Sequence, residues 1–170
     1  PLVRKGLPRN DLLVRGVEPE WVLAKKRELG LPTDRRIVLY CPTFRDRARR
    51  LQTPYDLPLD LEVMRRALGD DCHLVLRTHY LDSYKLSPRY APFATDLSKH
   101  HDVTELMLLT DVLVTDYSSV MFDFANTGRP MVFYTYDYQD YVRHGRGPYP
   151  DPPGTAPGPV VPSPPHPRPP

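Results

Sequence analysis

The sequence at residues 111–124 reads DVLVTDYSSVMFDF, an apolar run followed at once by two serines and a helical pattern. Val112–Thr115 is typical of a buried parallel strand. Ser118 and Ser119 then stand at the start of a predicted helix, where unpaired N–H groups and the helix dipole favour an anion. The pattern indicates a phosphate site, although a serine that only caps the helix explains this stretch equally well.

Strands and helices alternate on both sides of this stretch. Short apolar, β-rich runs predict strands at residues 37–41, 73–77, 112–115 and 131–134. Helical patterns, several of them closed by glycine, occupy residues 18–29, 59–68, 103–110 and 119–127. This order predicts an α/β fold with a doubly wound parallel sheet, in which ligands bind at the carboxyl ends of the strands.

Composition allows one core and gives few indications of a partner. A chain of 170 residues with 40% hydrophobic content can bury one sizeable core, and its net charge of +2 is too small to argue for nucleic acid. Cys41 and Cys72 stand beside apolar runs, which favours reduced core thiols and a cytoplasmic setting. Because no apolar stretch approaches the roughly 20 residues that span a bilayer, we expect any membrane association to be peripheral.

Prolines are concentrated at one end of the chain. Twelve of the 22 prolines fall within the last 23 residues. Such a composition is typical of polyproline or disordered segments. We therefore expect residues 1–147 to form the folded domain and residues 148–170 to form a Pro-rich, disordered tail.

Polar residues follow the predicted strands at the edge where a ligand would bind. Thr43 and Arg45 come after the first strand, while Arg77, Thr78 and His79 come at the end of the second. Arginine can make paired hydrogen bonds to phosphate oxygens, hydroxyls can donate to others, and histidine can donate to a leaving oxygen. Each has a plainer interpretation, since Arg45 lies in an arginine-rich segment typical of a solvated loop and a lone histidine is more often structural. Their convergence on one sheet edge favours a diphosphate clamp.

Several motifs, taken in order, resemble those of one known family. They are GLPRND at residues 6–11, LYCPTFRD at 39–46, LRTH at 76–79, TDYSSVMFD at 115–123 and RPMVFY at 129–134. The series resembles the CDP-glycerol glycerophosphotransferases, the family of teichoic acid polymerases and primases. Such a series is far more specific than a single glycine-rich loop.

The resemblance implies a glycosyltransferase-B type architecture of two facing Rossmann-like domains, in which residues 1–147 resemble the donor nucleotide-binding domain. It implies transfer of glycerol phosphate, or a related polyol phosphate, from a CDP-alcohol to a hydroxyl of a teichoic-acid-like polymer or lipid-linked primer, with release of CMP. The family's acceptor domain is not among these 170 residues, so we expect this chain to supply the donor half. No cofactor, metal or nucleic acid is expected. The acceptor implies a cytoplasmic protein that is peripheral on the inner face of the plasma membrane.

The candidate site combines the residues at the strand ends with positions that match the family motifs. The donor-binding set is Arg9, Pro42, Thr43, Arg45, Arg77, Thr78, His79, Ser118, Ser119 and Asp123. By resemblance, Ser118 and Ser119 hold the diphosphate and Asp123 contacts the ribose or base. His79 is the candidate catalytic residue, which would stabilise or protonate the departing CMP phosphate.

Two other functions fit the same residues. A related glycosyltransferase would use a nucleotide sugar and release UDP or GDP, whereas a binding-only remnant would hold the donor without turnover. The nucleotide that is released distinguishes the first from the proposed transferase. Glycerol versus ribitol, and primase versus polymerase, remain open because those choices depend largely on acceptor contacts outside this chain.

Overall fold

A six-stranded parallel sheet forms the centre of this chain in a computed structural model, which describes residues 7–44, 57–79, 85–144 and 156–162. Within those residues the strands are β1 Arg36–Tyr40, β2 Cys72–Leu76, β3 Ala94–Asp96, β4 Val112–Thr115, β5 Met131–Tyr134 and β6 Val160–Val161. They lie in the order β3-β2-β1-β4-β5-β6, and every neighbouring pair is parallel. The predicted α/β fold with a doubly wound parallel sheet is confirmed, and the strand order reverses between β1 and β4.

Helices fill the intervals between most of these strands. The described helices are α1 Asp11–Arg15, α2 Pro19–Glu28, α3 Leu61–Leu68, α4 Val103–Leu109, α5 Val120–Phe124 and α6 Tyr138–His144. Short 3-10 turns lie at Pro8–Asn10, Pro88–Tyr90 and Ala125–Thr127. The predicted strands at 37–41 and 73–77 each begin and end one residue earlier than predicted.

Local hydrogen bonding explains where two of the predicted helices differ from the structure. The helix predicted at 59–68 begins only after Asp60, because this carboxylate caps α3 and accepts two main-chain N–H groups at 3.0 Å each. The helix predicted at 119–127 is divided into α5 and the 3-10 turn Ala125–Thr127. That turn ends at Gly128, whose φ of 67° lies in the left-handed region that favours glycine.

Alternate side chains of β1 face opposite cores. Ile37 and Leu39 pack with residues of α1, α4 and α5 on one face of the sheet. Val38 and Tyr40 pack on the other face, where Leu61 of α3 joins them. This alternation follows from the two-residue period of a strand. Helices thus cover both faces of the sheet, as the buried apolar runs predict.

The two edge strands, β3 and β6, escape prediction because each is short and has a weak sequence signal. β3 is Ala-Thr-Asp, and β6 is a Val-Val pair between Pro159 and Pro162. Proline is compatible with a sheet mainly at its edges. β6 places residues 160–161 in the sheet, although they lie within the tail predicted at 148–170. Residues 148–155 and 163–170 of that tail lie outside the described residues, and the boundary at residue 147 stays a prediction.

Main-chain hydrogen bonds and one glycine hold β6 against the sheet. Phe133 and Thr135 donate their N–H groups to carbonyls of residues 159–161, at 2.8 and 3.1 Å. Gly158 lies directly against the carbonyl oxygen of Met131, where a Cβ atom would clash. Only glycine leaves room for the main chain to approach this closely.

Arg129, which precedes β5, fixes the C-terminal end of α4. Its Nη1 donates to the carbonyls of Leu108 and Thr110, at 2.8 and 2.6 Å. A cation near the last carbonyls of a helix satisfies acceptors that have no partner within the helix, and it opposes the negative end of the helix dipole. The contact therefore fixes the position of α4 relative to β5.

His73 is buried within β2 and has a lowered pKa. The residue is 3% exposed, and its Nε2 lies 2.8 Å from the hydroxyl of Thr95. Burial first, and then the positive charges of Arg35 and Lys26, lower the pKa of His73 from 6.5 to about 4. The neutral ring is therefore the native form at neutral pH.

We predict that His73→Gln makes the free energy of unfolding depend less strongly on pH below neutrality. The folded pKa of about 4 lies below the unfolded value of 6.5, so between these values the unfolded chain binds the extra proton. The stability that neutral His73 contributes is complete above the unfolded pKa and is lost as the pH falls through the folded pKa. In urea unfolding, acidification from about pH 7 to pH 4.5 should cost the wild-type chain roughly 2 kcal/mol more than the variant.

The glutamine variant is a matched control, because its amide can still bond to Thr95 but does not titrate. The chain has six histidines, so only the difference between the two proteins isolates His73. Parallel stability curves over this pH range would contradict the prediction.

Candidate functional site

A cleft of about 520 Å³ opens at the carboxyl ends of β1, β2 and β4, where the strand order reverses. Its walls come from the loops after these strands, from the turn before α1, and from α4 and α5. The lining residues are Arg9, Asn10, Cys41, Pro42, Arg77, Thr78, His79, Val103, Thr104, Met107, Ser118, Ser119, Val120 and Asp123. Doubly wound sheets bind their ligands in a crevice at this position.

Eight of the ten predicted donor-binding residues line this cleft. Thr43 is not among the lining residues, because its N–H and hydroxyl groups both bond to the buried Asp116. Arg45 lies outside the described residues. The structure thus brings together side chains as distant in sequence as Arg9 and Asp123, while their roles toward a ligand stay predictions.

Six lining residues fall outside the predicted set, and three of them, Asn10, Cys41 and Thr104, carry a polar or thiol side chain. Asn10 follows Arg9 in the GLPRND motif, and Cys41 precedes Pro42 in LYCPTFRD, so both motifs contained a signal that could have identified them. Thr104 belongs to none of the quoted motifs. It lies in the first turn of α4, and only the folded arrangement shows that this turn reaches the cleft.

Both serines line the cleft at the start of α5. Ser119 is exposed, and among the described residues its hydroxyl caps no N–H group of α5. The hydroxyl of Ser118 accepts from the N–H of Val120 at 3.4 Å, which is long for a hydrogen bond. Helix capping therefore accounts poorly for this pair of hydroxyls.

Asp116 connects the loop after β1 to the loop after β4. It is 1% exposed, and its Oδ1 accepts from the N–H of Thr43 at 2.8 Å and from the hydroxyl of Thr43 at 2.7 Å. The same oxygen accepts from the N–H of Tyr117 at 2.6 Å. Its neighbour Thr115 adds a second link, since the Thr115 hydroxyl donates to the carbonyl of Cys41 at 2.7 Å.

Ser98 organises the loop after β2. The hydroxyl of Ser98 lies 3.0 Å from both the main-chain nitrogen and the hydroxyl of Thr78, which is 4% exposed. The carbonyl of Ser98 accepts from Nη1 of Arg77. The buried Nε of Arg77 has no hydrogen-bond partner among the described residues. Thr78 therefore helps to shape the cleft, which Arg77 also lines.

Asp123 is held by the segment before α1. Its Oδ1 accepts from Nδ2 of Asn10 at 2.8 Å, and its Oδ2 lies 3.1 Å from Nη2 of Arg9. The Asp123 side chain is 14% exposed, whereas that of Arg9 is 61% exposed. Asp123 therefore fixes Arg9 and Asn10 at one wall of the cleft, whatever it contacts in a ligand.

His79 and Cys41 occupy the side of the cleft formed by β1 and β2. The ring of His79 lies 4.3 Å from the ring of Phe44, centroid to centroid. Burial raises the pKa of the Cys41 thiol to about 12; the charge of Arg77 lowers it and that of Asp116 raises it. Both Cys41 and Cys72 are free thiols, as the sequence predicts.

Two kinds of feature are absent from the described residues. No group of three or more His, Cys, Asp or Glu side chains within them is arranged to hold a metal ion. No helix within them combines the length and apolar character that a membrane crossing requires. The acidic pair Asp70 and Asp71 is exposed at a turn.

Known proteins share both the sequence and the geometry of this chain. The sequence model of the family "CDP-Glycerol:Poly(glycerophosphate) glycerophosphotransferase" matches residues 1–165. The chain belongs to this family. The resemblance carried by the sequence motifs is thereby confirmed.

Curated members of the glycerophosphotransferase family are similar over nearly all of this chain. It is 42% identical over 162 residues to a teichoic acid poly(glycerol phosphate) polymerase of Bacillus spizizenii, an alignment that covers 94% of this chain and 41% of the relative. It is 39% identical over 163 residues to a teichoic acid glycerol-phosphate transferase of Staphylococcus aureus, covering 94% and 42%. The chain therefore spans about two fifths of the length of these relatives.

Solved structures agree with this assignment. A histidine-to-asparagine variant of the wall teichoic acid polymerase TagF, soaked with CDPG, matches with a TM-score of 0.83 and 40% identity. The match covers 94% of this chain and 39% of that one. Escherichia coli ADP-heptose lps heptosyltransferase II matches with a TM-score of 0.55 at 15% identity, which supports the fold alone. The predicted glycosyltransferase-B type, Rossmann-like fold class is confirmed.

We predict that Cys41 resists alkylation in the folded chain although it lines the cleft. The thiolate is the reactive form, and a pKa of about 12 leaves very little of it at neutral or mildly basic pH. At about pH 8, modification by N-ethylmaleimide should be roughly a thousandfold slower than that of an ordinary thiol. Peptide mapping by mass spectrometry measures each cysteine separately. The control is the chain unfolded in guanidinium, where modification should be fast; equal rates in the two states would contradict the prediction.

Proposed function

We propose that this chain supplies the donor-binding half of a transferase that uses CDP-glycerol. In the proposed reaction, glycerol phosphate moves from the CDP-alcohol to a hydroxyl of a teichoic-acid-like polymer or lipid-linked primer, and CMP is released. Support comes from the family match over residues 1–165 and from relatives that are teichoic acid polymerases and glycerol-phosphate transferases. The CDPG soak of the similar TagF variant supports the choice of donor.

The observation that carries this proposal is the convergence of phosphate-binding groups at the reversal of strand order. The exposed Ser119, its neighbour Ser118 and the guanidinium-bearing Arg77 all line one cleft. Hydroxyls and a guanidinium are suited to the oxygens of a diphosphate. The family match and the site geometry therefore favour the same donor.

The proposed chemistry is an in-line displacement at the phosphorus that carries glycerol. The acceptor hydroxyl oxygen forms a new bond to this phosphorus, and the bond from phosphorus to the bridging oxygen breaks. The bridging oxygen leaves as part of CMP, and the acceptor hydroxyl loses its proton to a base. The reaction neither oxidises nor reduces a group, so we propose that it draws on no cofactor.

His79 is the proposed catalytic residue of this half. It lines the cleft directly after Thr78 and two residues after Arg77, which also lines it. From there the imidazole would donate a hydrogen bond or a proton to the departing CMP phosphate. The resemblance assigns the base for the acceptor hydroxyl to a facing domain rather than to this chain.

The proposed partners follow from the acceptor. We propose an anionic wall polymer or lipid-linked primer, which the protein would meet in the cytoplasm at the inner face of the plasma membrane. Arg9, exposed at the cleft wall, is a described cation that an anionic acceptor or donor could approach. Vesicle sedimentation with and without anionic lipid tests the membrane part of this proposal separately from donor binding.

Nucleotide release separates this function from its two alternatives. Release of CMP from CDP-glycerol, in the presence of a polyol-phosphate acceptor and the acceptor domain of a relative, supports the transferase. Release of UDP or GDP from a nucleotide sugar would replace it with a glycosyltransferase. Donor binding without release of any nucleotide, even with that domain supplied, would indicate a binding-only protein.

We predict that the double variant Ser118→Ala, Ser119→Ala binds CDP-glycerol more weakly than the wild-type chain. Each lost hydroxyl removes a donor to a charged ligand, so the dissociation constant should rise roughly 10-fold to 100-fold. Isothermal titration calorimetry of the full 170-residue chain measures this constant. CDP-ribitol, CMP and a UDP-sugar, titrated in parallel, define donor specificity.

Ser87→Ala serves as the matched control for the loss of a serine hydroxyl. Ser87 is exposed and is not among the residues that line the cleft. The Ser87→Ala variant should bind CDP-glycerol with the same affinity as the wild-type chain. If the double variant also keeps wild-type affinity, the serines do not form the phosphate site; if the wild-type chain binds none of the four ligands, the proposed function fails.

A further inference from the structure

The carboxylate of Asp116 is buried between the loops that would hold the donor, and it does not line the cleft. All three of its described hydrogen bonds are to groups of Thr43 and Tyr117. At 1% exposure, and absent from the cleft lining, it is not positioned to touch a ligand. Any effect of Asp116 on binding must therefore act through the residues that it holds.

Those residues are adjacent to the proposed phosphate contacts on both sides of the strand-order reversal. Thr43 follows Pro42, which lines the cleft from the β1 side. Tyr117 precedes Ser118, which lines it from the β4 side. One oxygen atom thus sets the separation between two loops that belong to different strands. Hydrogen bonds to an ionised acceptor are stronger than those between neutral groups, so this separation is firmly fixed.

The charge of Asp116 argues against a direct role in attracting the donor. Its carboxylate and the guanidinium of Arg77 act in opposite directions on the Cys41 thiol, which lines the cleft. A negative charge this close to the loops that would hold the donor would repel an anionic diphosphate. The contribution of Asp116 to binding would instead be to hold the two loops in position.

We infer that Asp116 is a positioning residue that sets donor affinity by holding the Pro42–Thr43 loop at a fixed distance from the Ser118–Ser119 hydroxyls. This inference rests on the proposed function, because it assumes that the cleft binds a CDP-alcohol. The motif TDYSS at residues 115–119 accordingly divides into an acid that orders the loops and serines that meet the ligand.

Asp111 provides a matched control on the same pair of strands. Its Oδ2 accepts from the N–H of Ile37 at 2.7 Å, so it links β4 to β1 at their amino ends. Asp111 immediately precedes β4, whereas Asp116 immediately follows it. The two carboxylates make the same type of contact, but only Asp116 holds loops that line the cleft. Loss of either should reduce stability, and loss of Asp116 alone should reduce donor affinity.

The test compares Asp116→Asn with Asp111→Asn in the full chain. Asparagine keeps the shape but removes the charge that strengthens these hydrogen bonds, so we expect both variants to unfold at lower urea concentration. In calorimetry, Asp116→Asn should bind CDP-glycerol about tenfold more weakly, while Asp111→Asn stays within about twofold of wild type. Equal affinities in the two variants overturn the inference but leave the proposed function standing. A wild-type chain that does not bind CDP-glycerol overturns both.

Hydrogen exchange in the wild-type chain tests the same inference if Asp116→Asn does not fold. Binding of CDP-glycerol should slow exchange of the Thr43 and Tyr117 amides, because the ligand fixes the two loops that these amides join. Exchange of the Ile37 amide, which donates to Asp111 at the other end of the strands, should not change. Equal slowing of all three amides, or of none in a chain that binds the ligand, overturns the inference.

Discussion

The parallel pairing of β1 with both β2 and β4 is the constraint on which the rest of the structure depends. Leu39 lies opposite Val75 on one side and opposite Leu113 on the other, and all three side chains are almost completely buried. Because successive strands are added outward in opposite directions from this centre, their connecting loops diverge. The space left between the diverging loops is the cleft, so the site is a consequence of strand order before any side chain is considered.

Much of the sheet could be predicted because its central strands have a strong local signal. β1 and β2 are buried on both faces, so each is a continuous apolar run that differs clearly from the sequence around it. β3 and β6 have no such run. Their backbone is extended because a neighbouring strand offers hydrogen bonds, and a neighbour that is distant in sequence leaves no local pattern. The Val-Val pair of β6 gives almost no indication of a strand until β5 lies beside it.

The same distinction applies to the cleft. Most of the predicted side chains line the cleft, because hydroxyls and cations after a strand have a recognisable chemistry. The contacts that hold these groups in place could not be predicted. Ser98 organises Thr78 from 20 residues away, and Asp123 holds Arg9 from 114 residues away. Neither partnership has a sequence signature, because it depends on where two loops meet after folding.

The short strand β6 has a consequence for how the protein behaves in concentrated solution. Without it, β5 would present a row of unpaired N–H and carbonyl groups at the margin of the sheet, which is a template for pairing with another chain. Pro157, Pro159 and Pro162 lie on either side of β6, and proline has no main-chain N–H group to donate to another strand. The prolines that make this segment look unstructured thus leave the margin of the described sheet poorly suited to further strand addition, which is the step that edge-to-edge aggregation requires.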